Sequence, residues 1–315
     1  PNAPPCCLTR DTLMKRLSGL TTLLRGLASA AAGLLALAVA AGPAVAQPAF
    51  WAVKDADSTI YLLGTVHLLR PDTVWRTEKL DAAIDEADEL WLELPTTNPD
   101  KMAGEMMGLV ARYGLSPSQR LSKDLTADEL KTLDEAARLA GMTATQLDIF
   151  RPWFAAITIS TSAMTHAGYD PMSGVDSRIE AIFGERNITP KGLETAEQQI
   201  KVFAGMSREE ELDYLRQTIK DYEEAPTQLD AMVTNWASGN TAAMEEMFVT
   251  EMKDQDEALY EAILTNRNAN WVVQIEEMLK GSGTTFIAVG AGHLIGPDSV
   301  IAMLEAKGIK AERVQ

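Results

Sequence analysis

Cysteine is nearly absent from this chain of 315 residues, because only Cys6 and Cys7 occur, side by side near the N-terminus. The rest of the chain can form no disulfide framework and can offer no thiolate to a metal. Its stability must therefore come from burial of apolar side chains, and residues 47–315 are numerous enough to form one sizeable core.

Basic residues are also scarce. The chain has 28 Lys and Arg against 45 Asp and Glu, a net charge of −17. Residues 1–46 hold four of the basic residues and one of the acidic ones, so residues 47–315 carry a net charge of −20. Such a field repels phosphate backbones and anionic lipid. We therefore expect no nucleic-acid partner and no binding to a membrane surface.

Several catalytic motifs are missing from residues 47–315. No His-Glu-x-x-His occurs, which excludes a zincin, and no Gly-x-Ser-x-Gly elbow occurs, which disfavours a serine hydrolase. Neither a P-loop nor a Gly-x-Gly-x-x-Gly nucleotide fingerprint is present. No linker rich in Gly, Ser or Pro divides this part of the chain, which indicates one domain.

A single long apolar run lies near the N-terminus, at residues 27–41. It follows Met14, Lys15, Arg16 and Arg25, and precedes an Ala-Val-Ala sequence that ends at Ala46. This pattern predicts a secretory signal peptide that starts at Met14 and is cleaved after Ala46. The run of 15 residues is shorter than the roughly 20 that span a bilayer. We therefore expect a periplasmic or secreted protein with no stable membrane anchor after cleavage.

The remaining pattern, residues 47–315, predicts one α/β domain. Apolar, β-branched runs at 59–66, 89–94 and 284–289 predict strands, and 311–314 is a candidate for a last strand. Helical spacing at 74–88 between the first two runs indicates a β-α-β unit with parallel strands. The middle of the chain predicts helices, two of which open with capping boxes at Thr126 and Ser207. The predicted fold is a pseudo-symmetric, mostly parallel sheet flanked by helices, with a helical insertion at about 98–280.

One motif occurs twice. GTVHLLRPDTV at 64–74 aligns without a gap to GAGHLIGPDSV at 290–300, with six identities in eleven positions. Each copy follows a predicted strand and precedes a predicted helix. Residues 47–315 hold three histidines, and two of them, His67 and His293, stand at the same position of this repeat.

The repeat predicts a binding site. Ligands of open parallel sheets bind beyond the carboxyl ends of the strands. Gly64 and Gly290 would let the backbone turn and approach a ligand closely at those ends. His67 and His293 would then face one crevice, and imidazole is a common ligand of transition metals. The third histidine, His166, ends a helical pattern, where a structural role is expected.

The Pro-Asp pair that closes each copy predicts helix entry rather than chemistry. Proline fits a turn, and Asp72 and Asp298 could each cap the helix that follows.

Further segments resemble the TraB/GumN family, which includes the Tiki metalloproteases and is distantly related to ChaN and erythromycin-esterase-like proteins. The resemblance spans essentially all of 47–315 and implies an EreA/ChaN-like α/β fold with a divalent-metal site. The segments that carry it are YLLGTVHLL (61–69), LWLELP (90–95), RPW (151–153), GVDSRI (174–179), GLETAEQQ (192–199), Arg267-Asn268 and VGAGHLIG (289–296).

The resemblance also implies roles for single residues. His67 and His293 match the family histidines, and Glu93 matches an acidic position that serves as metal ligand or general base. Arg267 and Asn268 match a polar pair, of which Arg267 could stabilise an oxyanion. Two further acids could be ligands, acceptors that orient a histidine, or helix caps: Asp176 and Glu194.

Together these features predict an exported metal-dependent hydrolase, a protease or peptidase in which a metal-activated water attacks the substrate. The donors favour Mn, Co, Zn or Fe without choosing among them. The substrate could be a peptide or a small molecule. Two alternatives stay open: a non-catalytic peptide- or haem-binding protein that uses the same histidines, and a metal-free, His-dependent esterase-like hydrolase. The sequence does not specify the oligomeric state.

Overall fold

Six strands form one mixed sheet in the computed structural model, which describes residues 46–95 and 99–315. The predicted signal peptide, apart from Ala46, lies outside the described residues. The sheet has the order β4-β3-β5-β2-β1-β6. Its strands are β1 (Phe50–Lys54), β2 (Ser58–Thr65), β3 (Glu89–Leu92), β4 (Lys191–Gly192), β5 (Gly283–Gly290) and β6 (Ala311–Arg313).

The four strands on one side of the sheet, β4, β3, β5 and β2, are mutually parallel. The other two, β1 and β6, are antiparallel to their neighbours. The central strand β2 is buried along most of its length and β5 is buried at 286–289, as continuous apolar runs require when helices cover both faces. Their register pairs Gly64 with Val289 and Thr65 with Gly290, so the two motif copies lie side by side, shifted by one residue.

Helices account for most of the remaining described residues. They are α1 (Glu78–Glu86), α2 (Pro99–Leu109), α3 (Leu121–Asp124), α4 (Ala127–Ala137), α5 (Ala144–Leu147), α6 (Pro152–His166), α7 (Val175–Glu185), α8 (Ala196–Ala204), α9 (Arg208–Asp221), α10 (Ala225–Ala237), α11 (Thr241–Glu245), α12 (Glu251–Gln255), α13 (Glu257–Tyr260), α14 (Asn266–Met278) and α15 (Val300–Ala306).

Shorter helical turns connect several of these helices. Three are π-helical, at Val110–Gly114, Glu246–Thr250 and Glu261–Thr265. A 3₁₀ turn, Ala291–Leu294, carries the second motif histidine directly after β5. Among the described residues, none of the helices combines the length and the apolar character needed to cross a membrane.

The main core lies on the two faces of the sheet. Phe50, Tyr61 and Phe286 stack across three neighbouring strands, and Phe183 of α7 packs against Phe286. Buried apolar residues of α1, α7, α14 and α15 complete this core. A second apolar cluster joins α4, α6 and α9 away from the sheet. The strand-bearing segments and part of the helical segment therefore bury separate sets of apolar side chains.

The structure confirms the predicted α/β class and most of the predicted elements. The middle of the chain is helical, as predicted, and the capping boxes at Thr126 and Ser207 are both formed. The strands β2 and β3 are parallel, as the β-α-β pattern predicted, but β5 lies between them. The pseudo-symmetry stays a prediction, since three of the five strand pairings are parallel and two are antiparallel.

The predicted capping roles of Asp72 and Asp298 are wrong. Thr77 caps α1 and Ser299 caps α15, each with its side-chain oxygen accepting a backbone N–H. Asp298 instead accepts a hydrogen bond from the Tyr260 hydroxyl at 3.0 Å. Hydroxyl residues closer to the helix start take the cap because the cap must directly precede the first helical residue.

The N-terminal end of helix α7 packs closely against the first motif copy. The backbone N–H of Val175 donates to the carbonyl oxygen of Val66 at 3.0 Å. A Cβ at Gly174 would overlap with the carbonyl oxygen of His67, so only glycine allows this approach. The contact brings the first turn of α7, and with it Asp176, against the end of β2.

We therefore expect Gly174→Ala to destabilise the protein by about 2 kcal/mol or more, because overlap with buried backbone cannot relax cheaply. The matched control is Gly184→Ala in the same helix, where an added Cβ meets nothing within 4 Å. That change should be neutral or stabilising by up to about 1 kcal/mol. Thermal unfolding of both variants measures the difference, and equal melting temperatures would contradict the close approach.

Candidate functional site

The carboxyl ends of the four parallel strands meet at one edge of the sheet, where ligands of such sheets bind. Each strand delivers one or two polar groups to this edge. In the spatial order of the strands these are Glu194 after β4, Glu93 after β3, Gly290 and His293 at the end of β5, and Thr65 and His67 at the end of β2.

His67 is held by an acidic partner. Its Nδ1 lies 2.7 Å from Oδ2 of Asp176, while the other oxygen of Asp176 accepts a hydrogen bond from the Thr65 hydroxyl at 2.7 Å. With Nδ1–H donating to the carboxylate, Nε2 faces the site. The His67 side chain is 61% exposed, so this nitrogen is accessible from solvent.

His293 is held by an amide. Its Nδ1 donates to Oδ1 of Asn268 at 2.6 Å, and Nδ2 of Asn268 donates to the Asp298 carbonyl at 2.8 Å. The second bond fixes which end of the amide faces the ring, so Nδ1 carries the hydrogen and Nε2 carries the lone pair. The Trp271 ring packs against the imidazole with the ring centres 4.3 Å apart. Both Asn268 and His293 are buried.

Glu93 lies between the two histidines. Its Oε1 is 3.9 Å from Nε2 of His67 and 3.7 Å from Nε2 of His293, and it accepts the backbone N–H of Gly290 at 2.7 Å. Its Oε2 accepts from Arg267 at 2.6 Å. The two Nε2 atoms and one carboxylate oxygen therefore converge on one small region.

Arg267 is enclosed by acidic and aromatic groups. It forms a two-pronged ion pair with Glu194, with nitrogen–oxygen distances of 2.9 Å from both Nε and an Nη atom, and it stacks over the Trp271 ring at 4.9 Å. The Trp271 indole N–H donates to the same Glu194 at 3.0 Å. A second Nη atom of Arg267 lies 3.1 Å from Nε2 of His293. One guanidinium thus joins both carboxylates and the buried histidine.

These contacts shift the protonation of the site. The Asp176 carboxylate raises the pKa of His67 to about 9, whereas burial lowers the pKa of His293 to about 3. Burial alone raises the pKa of Glu93, but the adjacent His293, His67 and Arg267 side chains outweigh it and lower that pKa to about 2. Glu93 is therefore ionised and His293 neutral near pH 7.

The two motif glycines allow neighbouring groups of the site to approach closely. Gly290 has φ −49°, so its role is not a left-handed turn. A Cβ there would lie 3.1 Å from Oε1 of Glu93 and 3.5 Å from Nε2 of His67. A Cβ at Gly64 would lie 3.1 Å from the Cα of Ala291. Any side chain at Gly290 would enter the space where the histidines and the carboxylate meet.

A cavity of about 440 Å³ opens onto these groups. One side is polar and contains His67, Glu93, Arg267 and His293. The other side is apolar and comes from helices outside the sheet; its larger side chains are Phe203, Leu229, Met232, Phe248, Met252, Ile263 and Leu264. Such a cavity, apolar with a few converging polar groups, is typical of a small-molecule or peptide-binding site.

Sequence reasoning found the residues that meet here and missed several that position them. His67, Glu93, Arg267 and His293 converge, while Asn268, Asp176 and Glu194 hold them in place. The third histidine, His166, is exposed at the end of α6 and does not line the cavity. The missed residues are Thr65, Gln199, which donates to Glu93 at 3.4 Å, and Trp271. Thr65 and Gln199 lay inside the motif segments, but nothing in the sequence linked Trp271 to His293.

The Asp176–His67 pair yields a test of these contacts in metal-free protein. A raised histidine pKa contributes stability that is complete below pH 6.5 and is lost as the pH rises through about 9. We expect NMR titration of His67 to show a midpoint well above 6.5, and Asp176→Asn to return it toward 6.5. The exposed His166 serves as the reference signal. An unchanged His67 midpoint in Asp176→Asn would contradict the pairing.

Comparison with known proteins identifies the family of this chain. The family model of the TraB/PrgY/gumN family matches residues 49–313, which include every residue of the site. An uncharacterized protein of Treponema pallidum (strain Nichols) is 22% identical over 269 residues, which are 82% of this chain and 80% of that protein. No solved structure matches the chain. With a match that covers both motif copies and the whole sheet, the chain belongs to the TraB/PrgY/gumN family.

Proposed function

We propose that this protein is a metal-dependent hydrolase that cleaves peptide bonds after export, with residues 1–46 removed as a signal peptide. One observation carries the hydrolase proposal. Each motif histidine has its Nδ1–H held by an oxygen acceptor, so that both Nε2 atoms face the same carboxylate oxygen of Glu93. Metal-binding histidines are oriented in this way, with the second nitrogen fixed by an acceptor.

The donor set fits a divalent cation. Two imidazole nitrogens and a carboxylate oxygen suit Zn, Mn, Fe or Co. The distances of 3.7 and 3.9 Å are a few tenths of an ångström wider than the roughly 3.4 Å between ligands of a tetrahedral site. Within residues 46–95 and 99–315, no three His, Cys, Asp or Glu side chains are already gathered as a metal-holding group. The three donors must therefore close slightly, and Arg267 must withdraw from Nε2 of His293.

A bound cation and the side chains of the protein would have separate roles in the reaction. A divalent cation held by His67, His293 and Glu93 would supply Lewis-acid polarisation of a substrate carbonyl. Glu93 suits a ligand better than a general base, because both its oxygens already accept N–H bonds and its pKa is low. The Arg267 guanidinium, anchored through Glu194, is placed to stabilise negative charge that develops on the substrate oxygen.

The remaining residues orient the two histidines and enclose the site. Asp176 and Asn268 fix the ring planes of the two histidines, and Trp271 packs against His293 from the side away from solvent. The apolar wall of the cavity limits water around the reacting groups, which strengthens electrostatic interactions there.

A second candidate is supported by the Asp176–His67 pair itself. A histidine with Nδ1–H bonded to a carboxylate and an exposed Nε2 is the arrangement of a general base. In a metal-free hydrolase, His67 would take a proton from water at alkaline pH, where an imidazole with a pKa of about 9 is neutral, and Arg267 would stabilise the oxyanion. Chelation separates the two candidates, because only the metal-dependent hydrolase loses activity.

Metal content tests the proposal directly. We expect His67→Ala and His293→Ala each to weaken metal binding by more than about 100-fold, since loss of an orienting partner alone costs about 10- to 100-fold. His166→Ala, the matched control, should bind metal as the unmodified protein does. Elemental analysis after purification without chelator gives the result. Equal metal content in all three variants, or full peptidase activity after chelation, would refute the metal-dependent mechanism.

The role of Arg267 predicts a separate kinetic signature. Arg267→Lys keeps the charge but cannot span Glu93 and Glu194 together. We expect kcat on a quenched fluorescent peptide library to fall about 100-fold or more while KM changes little. Arg216→Lys is the control, because Arg216 pairs with Glu129 and Asp213 and does not line the cavity. A loss confined to KM would contradict transition-state stabilisation by Arg267.

A further inference from the structure

A second, larger cavity of about 770 Å³ adjoins the first. It lies between α8, the chain from 256 to 262 and α14, on the other side of the Arg267–Glu194 ion pair. Val202 and Arg267 line both cavities, so the two spaces meet at these residues. The second cavity is therefore adjacent to the first.

Amide side chains form a row along this second cavity. Asn266, Asn270 and Gln274 follow one another at four-residue intervals on α14, and all three line the cavity. Residues four apart share one helix face and are spaced by about 6 Å along the axis. Gln198 of α8 adds a further amide to the lining.

Each of these amides has a donor or acceptor group that remains available to a ligand. Among the described residues, neither Asn266 nor Asn270 has a hydrogen-bonded side chain. Gln274 uses only its Nε2, which donates to the Leu193 carbonyl at 3.0 Å, so its oxygen can still accept. The Gln198 oxygen caps α8, which leaves its NH₂ group as a donor. Each amide can therefore bind a ligand group without breaking the fold.

The spacing of the row matches an extended polypeptide. Alternate residues of an extended chain repeat every roughly 6.7 Å on the same side, close to the roughly 6 Å between successive amides. Apolar side chains line the cavity beside the row, and one of them, Val273, is 62% exposed. Extended peptides are bound through hydrogen bonds to their main chain, with pockets for alternate side chains. The amide row offers hydrogen-bonding groups beside apolar side chains.

We propose that the second cavity binds an extended polypeptide segment of the substrate through the amide row, next to the bond that is cleaved in the first cavity. This proposal rests on the proposed function for the position of the cleaved bond, but the binding itself does not require cleavage. It assigns the substrate to unfolded or extended polypeptides longer than a few residues, rather than to small esters or tripeptides.

Peptide binding tests the amide row apart from catalysis. In the full chain carrying His67→Ala, which lacks both a metal ligand and the candidate base, fluorescein-labelled random peptides of three and twelve residues are titrated by fluorescence anisotropy. Asn266→Leu and Asn270→Leu remove the amides at similar volume. Each change should weaken the binding of twelve-residue peptides about two- to tenfold, and both together about tenfold or more. Gln217→Leu, on an exposed face of α9 away from both cavities, controls for an added leucine.

The outcomes separate the two proposals. The amide row is supported if binding depends on peptide length and weakens in the Asn variants but not in Gln217→Leu. If the unmodified protein then cleaves nothing, only the hydrolase proposal fails. Equal affinity in the Asn variants and the control overturns the amide row, even if cleavage occurs. Equal affinity for three- and twelve-residue peptides, or no peptide binding at all, overturns it as well.

Discussion

The buried carboxylate of Glu93 is the constraint on which the rest of the site depends. A buried charge is tolerated only when paired and fully hydrogen-bonded, because desolvation otherwise costs several kcal/mol. Glu93 meets this requirement with the backbone N–H of Gly290 on one oxygen and Arg267 on the other. Arg267 needs a second anion in turn, which Glu194 provides. Three neighbouring parallel strands are thereby joined at their ends by one chain of charges.

The two motif copies lie in different environments. The first histidine is exposed and paired with an acid, whereas the second is buried, neutral and paired with an amide. The one-residue shift in register between β2 and β5 and the 3₁₀ turn after β5 place the two imidazoles at unequal depth. The two motif copies are therefore similar in sequence, but the protonation of each histidine depends on the elements that pack against it.

The sequence predicts much of this fold because its strongest signals are local. Apolar runs mark β2, β3 and β5, and the capping boxes mark helix starts. The short strand β1 was not predicted: Phe50, Trp51 and Val53 favour a strand, but the segment has only five residues and lies close to the expected cleavage point. The repeat located both histidines, but the order of the strands, and hence the position of Glu93 between them, depends on long-range pairing that no local pattern encodes.

One buried contact ties one wall of the first cavity to the sheet. The Trp236 indole N–H donates to the carbonyl oxygen of Gly64 at 2.7 Å, and it ties α10, with Leu229 and Met232, to a central strand. Another part of the wall, with Phe248, Ile263 and Leu264, is built on the π-helical turns Glu246–Thr250 and Glu261–Thr265, and such turns are frequent at functional sites. Any change in the width of the first cavity is therefore expected at these turns, while α10 remains fixed to the sheet.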